Sequence, residues 1–370
     1  MPGPPAAVAE IRRAVRQPLS DAVSAGRAVL LACSGGADSV AMVAAVAFEA
    51  ERLRRGGAAP VVAVGVVDHG LQAGSEQVAA GAVARCRALG IEQVWSERVE
   101  VTRTGDGPEA EARRARHAAL ERWATALAGG PTGGVGTETW LAHTRDDQAE
   151  QVLLGLLRGA GTRSLAGMAP RRGDLVRPFL AVSAATTRRA CRDLGLPVHH
   201  DPHNDDPRFT RVRARRVLAH LSAELGEDLA PALARTAEHA RADADLLDAL
   251  AAAHAEGLAV EQDGAVRVAE LAAIEDALRR RVWRLLARRA AEPGTPDPTS
   301  VHLGELDRLV TDWRGQGPVD LPGGGRWARW RGVGGDPVVG PIGKNGAPPP
   351  HRRRTDDTPP TRTVGGPRGR

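Results

Sequence analysis

The sequence predicts an α/β fold, a doubly wound parallel sheet, followed by a mostly helical C-terminal domain and a disordered basic tail. Three observations carry this: apolar runs of strand length alternate with helix-length segments through the first 160 residues; the alternation gives way to long Ala/Leu/Arg stretches beyond Asp205; and the last thirty residues lose apolar periodicity altogether. Residues 28–33 form an apolar run that reads as a buried strand, a Gly-rich turn follows, and the Ala-rich segment 40–54 reads as a helix. The unit repeats. Residues 61–67 are a fully apolar strand ending at Asp68-His69, and 75–89 a helix stopped by Gly90. Residues 94–101 alternate like a third strand, 108–128 read as a helix opened by Pro108, 139–142 begin a fourth strand, and 146–158 form the next helix.

Strands alternating with helices imply a parallel sheet covered on both faces, with ligands held beyond the carboxyl ends of the strands. The expected domains are 20–205, a catalytic α/β domain; 206–340, mostly helical, with helices over 227–258 and 271–291, a short strand at 265–268, and a helix plus small β element within 300–340; and 341–370, a Pro/Gly/Arg tail without predicted order.

Composition narrows the chemistry. A chain of 370 residues with 42% hydrophobic content can bury a core in more than one domain. Of its 50 basic residues Lys344 is the only lysine, so neither a Schiff-base lysine nor a phosphate-binding lysine is available in the first 343 positions. Cys33, Cys86 and Cys191 stand far apart, which argues against a disulfide framework, a zinc site or a cysteine-held iron–sulfur cluster and suits a reducing cytoplasm. The N-terminal residues do not read as a secretory leader, and no apolar run approaches membrane-spanning length. A soluble, cytoplasmic protein is expected, and the oligomeric state is left open, a homodimer included.

The turn Ser34-Gly35-Gly36-Ala37-Asp38-Ser39 joins the first strand to the first helix. Its glycines let backbone N–H groups approach an anion that also meets the positive end of the helix, Ser34 and Ser39 can add hydroxyl donors, and Asp38 is suited to hold Mg²⁺ on pyrophosphate oxygens. The loop lacks the G-x-x-x-x-G-K-[ST] pattern, so cleavage of ATP between its α and β phosphates is expected rather than kinase-like transfer. The alternative is an ordinary serine-capped turn. Asp68-His69-Gly70-Leu71 places a carboxylate and an imidazole at the crevice, or is a plain strand-end turn. His143-Thr144-Arg145-Asp146-Asp147-Gln148-Ala149-Glu150 runs into a helix with Asp147 and Glu150 on one face; helix capping explains each acid singly, but three acids and an imidazole beside an ATP loop exceed what capping needs. Basic runs at 113–117 and 208–216 suit a phosphate backbone or a solvated helix face, and Arg158-Gly159-Ala160-Gly161 reads as a helix C-cap.

Taken in order, these motifs with Arg177-Pro178 and Asp201-Pro202-His203-Asn204 through Arg215 resemble the tRNA(Ile)-lysidine synthetase family over residues 28–220. The first motif alone marks the wider PP-loop (HUP-like) ATP pyrophosphatases, which include GMP, NAD and asparagine synthetases and tRNA thiolases. The resemblance implies that ATP adenylates the C2 oxygen of the wobble cytidine of an isoleucine tRNA with a CAU anticodon. The ε-amine of L-lysine then displaces AMP to give lysidine. It implies that Ser34, Gly35, Gly36, Ala37, Asp38 and Ser39 hold ATP with Asp68, His69 and His143 beside it, that Asp38 holds Mg²⁺, and that Asp147 and Glu150 receive the lysine. Arg113 or Arg116 would stabilise developing charge or contact substrate, and Arg158, Arg208, Arg211, Arg213 and Arg215 would contact tRNA. The sequence departs from the family pattern at His117, Thr144 and Val212. Two rivals stay open: a sulfur-transferring tRNA enzyme, and a basic RNA-binding protein without catalysis.

Overall fold

The computed structural model describes residues 3–70, 74–99, 108–129, 136–159, 161–201, 205–261, 264–332 and 334–343. They fall into two compact units, Met1–Ala242 and Asp243–Arg370.

The first unit runs α1 (Ala6–Ser24), β1 (Ala28–Ala32), α2 (Ala37–Arg55), β2 (Val62–Asp68), α3 (Ser75–Ala88), β3 (Gln93–Arg98), α4 (Pro108–Ala128), β4 (Thr137–Trp140), α5 (Arg145–Leu157), α6 (Thr162–Leu165), β5 (Arg171–Arg172), β6 (Leu175–Val176), α7 (Ala184–Asp193) and α8 (Thr210–Leu225). The sheet order is β3-β2-β1-β4-β6-β5, parallel throughout except for the β5–β6 hairpin at the edge. Alternate residues of the central strand face opposite layers. Val29, Leu31 and Cys33 join the core with α1, α2 and α7, whereas Ala28 and Leu30 join the core with Leu120 and Leu127 of α4. That two-sided burial explains the unbroken apolar runs of β1 and β2. Gly65 interrupts the valines of β2 for a steric reason: a Cβ there would lie 2.6 Å from the ring of Trp123 on α4. Because β2 and β4 flank β1, the chain reverses its winding between β1 and β4, and a crevice opens outside their carboxyl ends.

The expected domain edges do not coincide with these units. Residue 20 falls inside α1, whose face of Val8, Ile11, Val15 and Leu19 is fully part of the sheet's core. Pro4, Pro5 and the internal Pro18 hide that helix in the sequence, because proline ordinarily breaks one. The compact unit also extends past 205, taking in α8 and the start of α9 (Leu229–Gly257).

The second unit continues with β7 (Val266–Arg267), α10 (Val268–Ala272), α11 (Asp276–Ala290), α12 (Ser300–Thr311), β8 (Val319–Asp320), β9 (Arg326–Arg331) and β10 (Pro337–Ile342). The last three strands and β7 form an antiparallel sheet in the order β7-β10-β9-β8. Its core includes Trp283 edge-on to Trp327, and Arg279 is buried there on Asp307 at 2.7 Å. The tail expected from 341 does not begin there, since Pro341 and Ile342 pair in β10; residues 344–370 lie outside the described residues, as do Leu71, residues 100–101, Ala160 and residues 202–204 of the motifs. No helix among the described residues is long and apolar enough to cross a membrane.

Candidate active site

The loop after β1 is shaped by its own side chains. Cys33 N–H still donates to Gly65 O, holding the chain to β2, and Gly35 then turns with φ +83, a conformation that favours glycine. Ser39 braces the turn: its hydroxyl accepts from Ser34 N–H at 3.2 Å and donates to Gly36 O at 3.0 Å. Gly36, the extended N-cap of α2, brings no side-chain cap, so the opening N–H groups of the helix are left for another acceptor. A helix start of this kind is suited to an anion. Ser39 is buried and serves the loop's shape, while Ser34 is exposed.

Asp38 sits in the first turn of α2 and accepts a hydrogen bond from the Thr187 hydroxyl of α7. Burial pushes its carboxyl up to about 6; the Thr187 contact opposes the shift, and nearby Asp147 and Asp146 add to it. Among the described residues no group of three or more His, Cys, Asp or Glu could hold a metal ion. A single carboxylate beside a phosphate site nevertheless fits Mg²⁺, which takes most of its ligands from phosphate and water.

Across the switch point, the three acids of α5 divide their labour. Asp146 accepts from Ala184 N–H at 2.8 Å and ties the first turn of α5 to that of α7. Asp147 forms a capping box with Thr144, accepting at Oδ2 from the Thr144 N–H (2.7 Å) and hydroxyl (3.0 Å). Thr144, where the sequence departs from the family pattern, is therefore a working N-cap. Glu150 is different. It is 1% exposed; Oε1 accepts from Arg215 Nε at 2.7 Å, while Oε2 is buried with no hydrogen-bond partner. Burial raises its pKa, Asp147 adds to the rise, and Arg215 opposes it.

Beyond Glu150 the crevice turns basic. His143, at the end of β4, is driven down to about 3 by burial and by Arg177, Arg211, Arg116 and Arg113, so its imidazole is neutral. Its Nδ1 is buried without a partner, as is that of His69 at the end of β2, whose pKa is lowered by burial and by Arg116. Asp68 beside it is held low despite burial by the Gly70 N–H, Ser75 and Arg98.

Residues 8–221 match the PP-loop domain family, and residues 267–333 match the TilS substrate binding domain. The chain is 50% identical over 303 residues to a tRNA(Ile)-lysidine synthase of Leifsonia xyli, covering 80% of this chain and 86% of that one. The chain belongs to the tRNA(Ile)-lysidine synthase family. Family members of the same name from Streptomyces coelicolor and Thermobifida fusca are 48% and 47% identical, covering 80% and 89% of this chain and 81% and 97% of theirs.

Of the residues expected to form the site, Asp38, Asp147 and Glu150 lie within electrostatic reach of one another, and Arg113 and Arg116 lie within electrostatic reach of His143. It treats the five arginines expected to meet tRNA unequally. Arg215 pairs with Glu150; Arg208 pairs with Asp206; Arg213 donates to the carbonyls of Pro207 and Arg208; Arg158 is an exposed C-cap of α5. Arg211 alone is half-buried beside both His143 and Glu150. Thr187 and the ionic setting of Arg177 escaped the sequence reading: a threonine inside Ala184-Ala185-Thr186-Thr187 carries no signal that it faces a carboxylate 149 residues away.

Proposed function

We propose that this protein is a tRNA(Ile)-lysidine synthase: an ATP-using, C–N bond-forming ligase that adenylates the wobble cytidine of an isoleucine tRNA with a CAU anticodon and installs L-lysine at C2. Family membership supports the reaction class, ATP use and the tRNA substrate. The observation that carries the lysine half is Glu150, a buried carboxylate with one oxygen unpartnered, next to Asp147 and within electrostatic reach of the ATP loop through Asp147 and Asp38. A buried anionic oxygen calls for a cation, and the ε-ammonium of lysine supplies one.

In this reading residues 34–39 hold the pyrophosphate through backbone N–H groups at the start of α2, and Asp38 would hold Mg²⁺, which would supply charge neutralisation to the phosphates. The C2 oxygen of the cytidine attacks the α-phosphorus and pyrophosphate leaves. The lysine ammonium first gives a proton to Glu150, whose raised pKa suits it to accept one; the free amine then attacks C2, and the C2–O bond breaks so that AMP leaves with its oxygen. Arg113 or Arg116 offsets charge on the departing phosphate. The α/β unit is the catalytic domain and the helical region the tRNA-contacting one. The sulfur-transfer alternative finds little support, since Cys33, Cys86 and Cys191 are all buried; unpaired, they fit a reducing cytoplasm. A homodimer is read by sedimentation at assay concentration.

The test is AMP release by the purified chain. Release that requires both L-lysine and tRNA(Ile) with a CAU anticodon, with labelled lysine recovered in the RNA, is expected. AMP release without lysine incorporation would overturn the reading.

A further inference from the structure

A cation outside all of the sequence motifs lies against the loop that follows β1. Arg85 sits in the last turn of α3, and its guanidinium reaches across to the turn. A Cβ at Gly35 would lie 3.4 Å from its Nη2, and one at Gly81 would lie 3.6 Å from its Nη1, so two positions without side chains make room for it. Ala79, Ala82 and Cys86 of α3 join the core that α2 also lines. Ala82, one turn before Arg85, would be 3.5 Å from the same Gly35 Cβ, so the buried face of α3 fixes where the arginine starts from. The turn itself is held by His199, whose backbone N–H donates to Gly35 O at 2.9 Å.

Arg85 is half-buried, its Nε is buried with no hydrogen-bond partner, and among the described residues its guanidinium forms no ion pair. A guanidinium taken partly out of water without an acceptor is costly. Complementing the end of α3 does not require that cost, because Arg87, in the same last turn, is exposed and acts on the helix dipole from solvent. The missing acceptor is an anion at the loop. ATP brings one, and with no lysine before Lys344 the cation for its outer phosphates has to be arginine or histidine. An arginine fork matches phosphate oxygens. When the bond from the α-phosphorus to the bridging oxygen breaks, the electron pair and the negative charge stay on pyrophosphate, and a guanidinium beside it stabilises that charge. We infer that Arg85 is a catalytic residue that grips the β- and γ-phosphates of ATP at the loop and holds pyrophosphate as it leaves. The inference rests on ATP binding at residues 34–39 as proposed above, and is independent of the base and the amine that are joined.

Calorimetric titration of the full chain with α,β-methylene-ATP and with AMP, both with Mg²⁺, tests this. Arg85→Gln should weaken the ATP analogue by roughly tenfold and leave AMP, which lacks the outer phosphates, unchanged. Arg85→Lys, which keeps the charge and loses the fork, should fall between the parent and the glutamine variant, and it decides the matter if Arg85→Gln fails to fold. Arg87→Gln should match the parent for both ligands. Unchanged affinity for the analogue in the Arg85 variants would overturn the inference and leave Arg85 a helix-end cation. Equal loss for the analogue and for AMP would overturn it too, because Arg85 would then serve only the shape of the loop. Failure of ATP binding at the loop reads out separately, as a parent chain that binds neither ligand.

Discussion

The acidic and basic flanks of the crevice are built on opposite principles. On α5, carboxylates are satisfied by short-range donors: Asp146 by Ala184 N–H, Asp147 by Thr144, and half of Glu150 by Arg215. One buried oxygen of Glu150 is left over. Around His143, by contrast, positive groups from three elements crowd one neutral ring, and the imidazole yields by giving up its proton affinity. The acidic flank therefore offers a single directed acceptor fit for one ammonium, and the basic flank a diffuse field fit for a polyanion. The contrast teaches that one crevice can hold two substrates of opposite charge if their sites are separated by structural hydrogen bonds rather than by distance.

The loop that both flanks depend on should show the largest effect. Asp38→Ala is expected to lower AMP formation by on the order of a hundredfold or more, with tRNA binding retained; residual turnover near the parent value would remove Asp38 from the chemistry. On the acidic flank, Glu150→Gln should raise the KM for lysine by about tenfold to a hundredfold with tRNA affinity unchanged, the cost of losing a charged hydrogen bond. The pH dependence follows from the sign of the shift. Burial raises the pKa of Glu150, so its carboxylate is lost as pH falls through a value above the ordinary carboxylate range. The lysine KM of the parent should then rise on acidification, and that of Glu150→Gln should stay flat over the same range.

A smaller effect separates the positioning of Asp38 from its charge. Thr187 is fully buried and its hydroxyl contacts both the Asp38 carboxylate and Ala184 O. Thr187→Val should raise the Mg²⁺ concentration for half-maximal rate by roughly tenfold and weaken Mn²⁺ binding measured by electron spin resonance to match, with rescue by Thr187→Ser. Equal metal affinity in the valine variant would leave Thr187 a packing residue only. The smallest change is expected at Arg213→Ala, whose guanidinium is engaged by Pro207 and Arg208 carbonyls: tRNA affinity within about twofold of the parent. A large loss there would put an RNA contact at the start of α8.

Much of this architecture was legible in the sequence because parallel strands buried on both faces leave unbroken apolar runs, as in residues 28–33 and 61–67, and because the residues ending such strands must meet. The loop at 34–39 was legible for the same reason, glycine spacing at a strand-to-helix turn being a local signal. What escaped was set by long-range packing. Helix α1 carries prolines where a helix is not expected, β5 and β6 are two residues each, and the contacts of Thr187 with Asp38 and of Arg215 with Glu150 join residues 149 and 65 positions apart. Arg208, Arg211, Arg213 and Arg215 look alike in a basic run; only the fold reveals that one faces the crevice, one neutralises an acid and two are tied down nearby.

The most direct test measures both substrates in two variants at once. Steady-state AMP formation by Glu150→Gln and Arg177→Gln, each titrated with L-lysine and with tRNA(Ile), should give crossed results: a raised lysine KM with unchanged tRNA KM in the first, and the reverse in the second. If both variants shifted the same substrate, or shifted both alike, the division of the crevice into an amine end and an RNA end would be contradicted.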